Sequence, residues 1–114
     1  MSQDKVKEKE RADRLRITDQ FRSKNGFVYD IRFEGSRLTL FIAPREHESD
    51  SGDWKVEATA RRPADPFVIT QWGLTKVDAL HEVQKSWLSQ AEAQGLPTFD
   101  WTAVEKALRD VRAI

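Results

Sequence analysis

The chain has 114 residues, with 19 Lys and Arg set against 19 Asp and Glu, so its formal charge near neutral pH is zero. That length suits one domain, and a zero net charge gives no overall field to draw the protein onto nucleic acid or an anionic membrane. The absence of cysteine excludes disulfides, thiolate zinc sites, iron–sulfur clusters and thiol nucleophiles, while four Trp, six Phe and one Tyr supply material for a core.

The neutrality is a cancellation. Residues 1–25 carry a net charge of +3 and the remainder −3. Between Asp4 and Arg16 ten of thirteen residues are charged, and Val6, Ala12 and Leu15 are too scattered to form an apolar stripe. We therefore divide the chain into a charged N-terminal extension, 1–14, and a single α+β domain, 15–114. The start has no apolar leader core, and no apolar run approaches the roughly 18 residues of a membrane span. The expectation is a soluble cytoplasmic protein without membrane contact. Within the domain, Leu15, Ile17 and Phe21 support a helix ending at Asn25-Gly26, because helix-forming charged residues fill the stretch upstream. The competing reading makes the same residues a strand, with Asn25-Gly26 as a hairpin turn.

After Gly26 the apolar period becomes two. Phe27, Tyr29, Ile31 and Phe33 face one way and Val28, Asp30 and Arg32 the other, the pattern of a half-buried strand. Glu34-Gly35-Ser36 reads as a tight turn. Leu38, Leu40 and Ile42 continue the apolar face on a second strand, with Arg37, Thr39 and Phe41 on the reverse, and Pro44 ends it. Arg45 to Asp53 is polar and acidic, a mobile loop by composition. A third strand places Trp54, Val56, Ala58 and Ala60 inward and Lys55, Glu57, Thr59 and Arg61 outward. Pro63 and Pro66 bracket a turn, and a short fourth strand alternates Phe67, Ile69 and Gln71 with Val68, Thr70 and Trp72.

The period then becomes helical. Thr75 and Asp78 form a near capping box ahead of Val77, Leu80, Val83, Trp87, Leu88 and Ala91, and Gly95 with Pro97 ends that helix. Asp100 can cap a last helix with a stripe of Trp101, Val104, Leu108 and Val111. The predicted fold is α+β: a four-stranded antiparallel sheet preceded by an N-terminal helix and covered by two C-terminal helices, α-β-β-β-β-α-α. The helix over 75–93 should cover the face of Phe27, Leu40, Val56 and Ile69.

Chemistry is sparsely marked. His47 and His81 are the only histidines, no serine stands in a nucleophile motif, and the five glycines are scattered singly rather than grouped in a phosphate loop. His47 lies among Glu46, Glu48, Asp50 and Asp53, but at spacings that match no calcium loop. Asp30 is the one acid inside an apolar strand, and a cross-strand ion pair with Arg32, Arg37 or Lys55 accounts for it. No catalytic, cofactor or metal residues are assigned, and the chain is read as not an enzyme.

The reverse sheet face is the candidate binding surface, through Arg32, Arg37, Phe41, Lys55, Arg61 and Trp72. Its structural explanation is that the N-terminal or C-terminal helix covers Phe41 and Trp72 and the charges form a rim. The function expected is a small protein-interaction module, adaptor or regulatory, that docks a protein partner or itself. The alternative is nucleic-acid binding, with aromatics stacking bases among arginines that hold phosphates and the basic N-terminus assisting.

Overall fold

In a computed structural model that describes residues 14–61 and 65–114, five strands are followed by two helices. The strands are β1 (Arg16–Ser23), β2 (Gly26–Phe33), β3 (Ser36–Pro44), β4 (Trp54–Arg61) and β5 (Pro66–Gly73). The helices are α1 (Lys76–Gln94) and α2 (Trp101–Asp110). Every neighbouring pair of strands is antiparallel and their order is sequential, so the sheet is a simple meander. The α+β class holds, but the sheet has five strands rather than four and both helices come after it. The N-terminal extension before Arg14 and the turn at Pro63 lie outside the described residues.

The predicted N-terminal helix is instead β1. Local composition favoured a helix, yet pairing with β2 satisfies the backbone from Arg16 to Ser23, and that tertiary gain outweighs helix propensity. A β-bulge between Ile17 and Asp19 gives the strand an extra residue, so Ile17 turns inward to the core while Phe21 lies opposite Val28 on the other face. The turn falls one residue earlier than Asn25-Gly26: Ser23 pairs with Gly26, and Lys24 takes the positive φ of 53°. Gly26 is needed for another reason. A Cβ there would strike the Ile42 carbonyl oxygen and come within 2.8 Å of the Ala43 Cβ. The next turn follows its sequence signal, with Glu34 and Gly35 both at positive φ, as a two-residue type I′ hairpin requires.

The alternation along β2, β3 and β4 is obeyed. Tyr29, Ile31, Leu38, Leu40, Ile42, Val56, Ala58 and Ala60 are all buried, and Ile69 of β5 joins them. Phe27, expected in the same face, is 48% exposed. Thr75 caps α1, its hydroxyl accepting from the Asp78 N–H at 3.1 Å, and Gly95 closes the helix in the left-handed conformation. Ala79, Leu80, Val83 and Trp87 are the residues α1 buries, whereas Leu88, counted in the stripe, points away and is 58% exposed.

Asp100 caps α2 through its Oδ1, which accepts from the Ala103 N–H at 3.1 Å. Trp101, Val104 and Leu108 are buried, but Val111 is the cap residue and largely exposed. Arg112 at φ 60° turns the chain back, so the Ala113 N–H reaches the Leu108 carbonyl and Ala113 takes the buried place. Both helices contribute to one core with the inner face of the sheet, α1 lying along β4 and β5 while α2 reaches β1.

The loop from Arg45 to Asp53, expected to be mobile, is organised around Arg45. That guanidinium donates to the carbonyls of His47, Glu48 and Asp50, and the Asp50 carboxylate accepts from the backbone N–H groups of Glu46 and His47. Gly52 packs against the Gly73 backbone, where an added Cβ would meet atoms at 2.9 Å.

Two substitutions check this packing. Trp87 is almost fully buried and donates its indole N–H to the Pro97 carbonyl at 3.0 Å, so Trp87→Ala should lower the unfolding free energy by about 3–5 kcal/mol in urea denaturation. Thr75→Ala should cost about 1 kcal/mol, and an unchanged midpoint would show that the cap contributes nothing.

Candidate functional site

The six sequence-predicted site residues lie on the outer face of the sheet, opposite both helices. The helices do not cover Phe41 and Trp72 as expected, because Trp101, Val104 and Leu108 of α2 enter the same core as α1. Among the described residues no helix packs on the outer face. Most of its residues are half-buried or exposed, with Phe21 at 47% and Val68 at 46%, while Asp30 and Ala43 are buried.

Strand register sorts this face into rows running across the strands. Arg16 pairs with Arg32, Arg32 pairs with Arg37, and the pairing of Leu38 with Ala60 sets Arg37 beside Arg61 one step on. Four arginines thus form one row at one end of the sheet. The middle row holds Asp19, Asp30, Thr39, Thr59 and Val68. The next contains Phe21, Val28, Phe41, Glu57 and Thr70, and beyond it Lys55 pairs with Trp72. The predicted residues therefore separate into two groups on one surface: Arg32, Arg37 and Arg61 at one end, and Phe41, Lys55 and Trp72 at the other.

At the aromatic end the Lys55 ammonium lies 5.3 Å from the centre of the Phe41 ring and 5.7 Å from that of Trp72, within cation–π range of both. A shallow depression of about 260 Å³ opens beside it, between the β1–β2 turn, Val28, Phe41 and Glu57.

In the middle of the face Asp30 is buried, only 8% exposed. The Arg37 guanidinium donates to its Oδ2 at 2.9 Å and the Thr39 hydroxyl to its Oδ1 at 2.8 Å. Arg37, rather than Arg32 or Lys55, is its ion-pair partner. Burial pushes this carboxyl's pKa upward, but the hydrogen bonds from Arg37 and Thr39 and the charges of Arg37 and Arg32 outweigh it and hold the pKa below its ordinary value of 3.8. The Arg37 Nε is itself buried with no hydrogen-bond partner.

Arg16 and Phe21 were missed as parts of this face, since the segment carrying them was read as helical. Their signal was the strand alternative for the same residues. The histidines lie elsewhere. His81 joins Glu105 of α2 at 2.6 Å, and the His47 N–H closes the Asp50 turn. No group of three His, Asp or Glu side chains among the described residues converges as a metal site would. No described helix is long and apolar enough to cross a membrane. No protein-family model matches the chain, and no curated protein or solved structure matches it either.

Because folding lowers the Asp30 pKa, this residue adds stability above the carboxyl's unfolded pKa, and the increment is lost as pH falls through the lowered folded value. The urea midpoint of the parent should decline below about pH 4. Asp30→Asn should have a lower midpoint at neutral pH and a shallower acid decline. Identical acid limbs would assign that sensitivity to other carboxylates.

Proposed function

We propose that the protein is a small non-enzymatic docking module that takes a protein partner on the outer face of its sheet. The observation behind this reading is that both helices pack on one side, and among the described residues no helix covers the other side of the five strands. Five strands about 4.8 Å apart and eight residues long at about 3.3 Å each present roughly 600 Å² before side-chain relief is counted. A specific interface uses about 800 Å² per partner, so the area is of the right order. The composition also fits. Phe21, Val28, Phe41, Val68 and Trp72 supply apolar and aromatic contact, and arginines flank them, the residue types that concentrate binding energy at protein interfaces.

Three features favour a protein over a nucleic-acid strand. The Lys55 ammonium already occupies the faces of the two rings that bases would need. Glu57 stands beside Phe41 in the same row, where its carboxylate would repel a phosphate backbone. The whole chain carries no net charge, whereas strand binders depend on a positive groove.

Photo-crosslinking tests the reading directly. A crosslinking side chain is placed at Val68 on the outer face or at Leu88 on the exposed side of α1, in the full chain inside its own cells. Val68 should give protease-sensitive adducts of defined mass that Leu88 does not give and that Phe41→Ala or Trp72→Ala diminishes. Nuclease-sensitive adducts would establish the nucleic-acid alternative, and equal labelling from Leu88 would remove the face from consideration.

A further inference from the structure

In the row of Arg16, Arg32, Arg37 and Arg61, the neighbours Arg32, Arg37 and Arg61 set like charges side by side on adjacent strands. Like charges directly opposite on adjacent strands destabilise a sheet, and here Arg32 lies directly between Arg16 and Arg37, with Arg61 next to Arg37. Arg37 meets the carboxylate of Asp30 in an ion pair, and among the described residues no carboxylate pairs with Arg32 or Arg61. That contact pins the Arg37 side chain to the sheet, while Arg32 and Arg61 are exposed on either side of it. With strands about 4.8 Å apart, the four positions span roughly 14 Å.

Guanidinium groups offer planar forks of N–H donors that match carboxylates two bonds at a time. We infer that this row is the docking strip for an acidic segment of the protein partner, one whose carboxylates lie along about 14 Å of its surface. The inference rests on the protein-docking reading above and names the partner's chemistry. Arg32 and Arg61 take the carboxylates, Arg37 and Arg16 support the row, and the apolar residues around Phe41 lie four positions along β3 to receive the partner's neighbouring apolar side chains.

A phosphate chain has the same charge, but this face suits it less well. Four residues along β3 place the nearest ring, that of Phe41, about 13 Å from the row, so the arginines and the aromatics do not serve one nucleotide together.

The test uses the full chain and three fluorescein-labelled probes: decaglutamate, decaglutamine and an oligo-dT of matched charge, followed by anisotropy at low salt. Decaglutamate should bind, decaglutamine should not, and added salt should weaken the binding. Arg32→Gln and Arg61→Gln should each reduce affinity roughly tenfold or more, with Arg32→Lys recovering only part because an ammonium lacks the fork. Both glutamine variants alter exposed side chains, and an unchanged urea midpoint verifies that they fold.

Decaglutamate affinity that survives both glutamine variants would overturn the assignment to this row, and tighter binding of oligo-dT would overturn it in favour of nucleic acid. If decaglutamate fails while Val68 still crosslinks a protein, the acidic strip is wrong and the docking face stands. If decaglutamate fails and Val68 crosslinks nothing, both readings fall.

Discussion

Three aromatic rings decide which side of the sheet is covered. Trp87 near the end of α1 meets Phe99 at 5.8 Å and Trp101 at 5.7 Å, both edge to face, and Phe99 meets Trp101 at 6.4 Å. Such contacts contribute about 0.5–1.5 kcal/mol each beyond the area they bury. Two of the rings lie on the helices and the third on the link between them, so the cluster fixes the path of the chain after Gly95. The link is further tied by the Trp87 indole on Pro97 and by burial of Leu96. The second helix consequently returns over the face that the first already covers. There His81 and Glu105 join the two helices at their surface, and His81 holds the Glu105 carboxyl below its ordinary pKa, helped by Arg109. The arrangement has one cost: the Trp101 indole N–H is buried without a partner, and nothing in the structure explains it.

Among the described residues, both helices lie on one face, and side chains of the other face tie its own strands together. Asp30 does this in the middle, where its two carboxylate oxygens take Arg37 and Thr39 and so bind neighbouring strands together. The edges are treated differently. Edge strand β1 has a bulge and the charges of Arg16, Asp19 and Arg22, and β5 begins at Pro66, devices that discourage pairing with a further strand. Both edges of the sheet are thereby guarded against edge-to-edge pairing.

Much of the fold was legible because its signals are local. Strict alternation from Phe27 to Ala60 assigned the buried side of β2, β3 and β4, and Thr75, Gly95 and Asp100 marked helix ends by chemistry that needs only nearby backbone. The failures required distant partners. β1 is a strand because β2 is available to pair with it, and Phe21 reaches the outer face only through the bulge at Thr18. The Phe27 face was correct in parity, but alternation alone does not give how much of each side chain is covered, and Phe27 is 48% exposed. Val111 continued the stripe of α2 in sequence, yet the left-handed turn at Arg112 ends the helix and gives its place to Ala113. The candidate site was legible residue by residue and not as an arrangement. Alternation put Arg32, Arg37 and Arg61 on the reverse face, while only register could align them into a row and extend it to Arg16.

The row and the Asp30 contact are linked in their energetics. Four guanidinium groups on neighbouring strands repel at short range, and water and salt screen only those that stand in solvent. Arg37 is the one held partly in the sheet, so it is the one whose charge most needs an internal carboxylate. Asp30 supplies it from two residues along the adjacent strand, at 2.9 Å. The same carboxylate accepts from the Thr39 hydroxyl, a second bond that helps fix its orientation. The sheet thereby neutralises Arg37 and leaves the charges of Arg16, Arg32 and Arg61 in solvent, so that the fold does not bear the full repulsion of four.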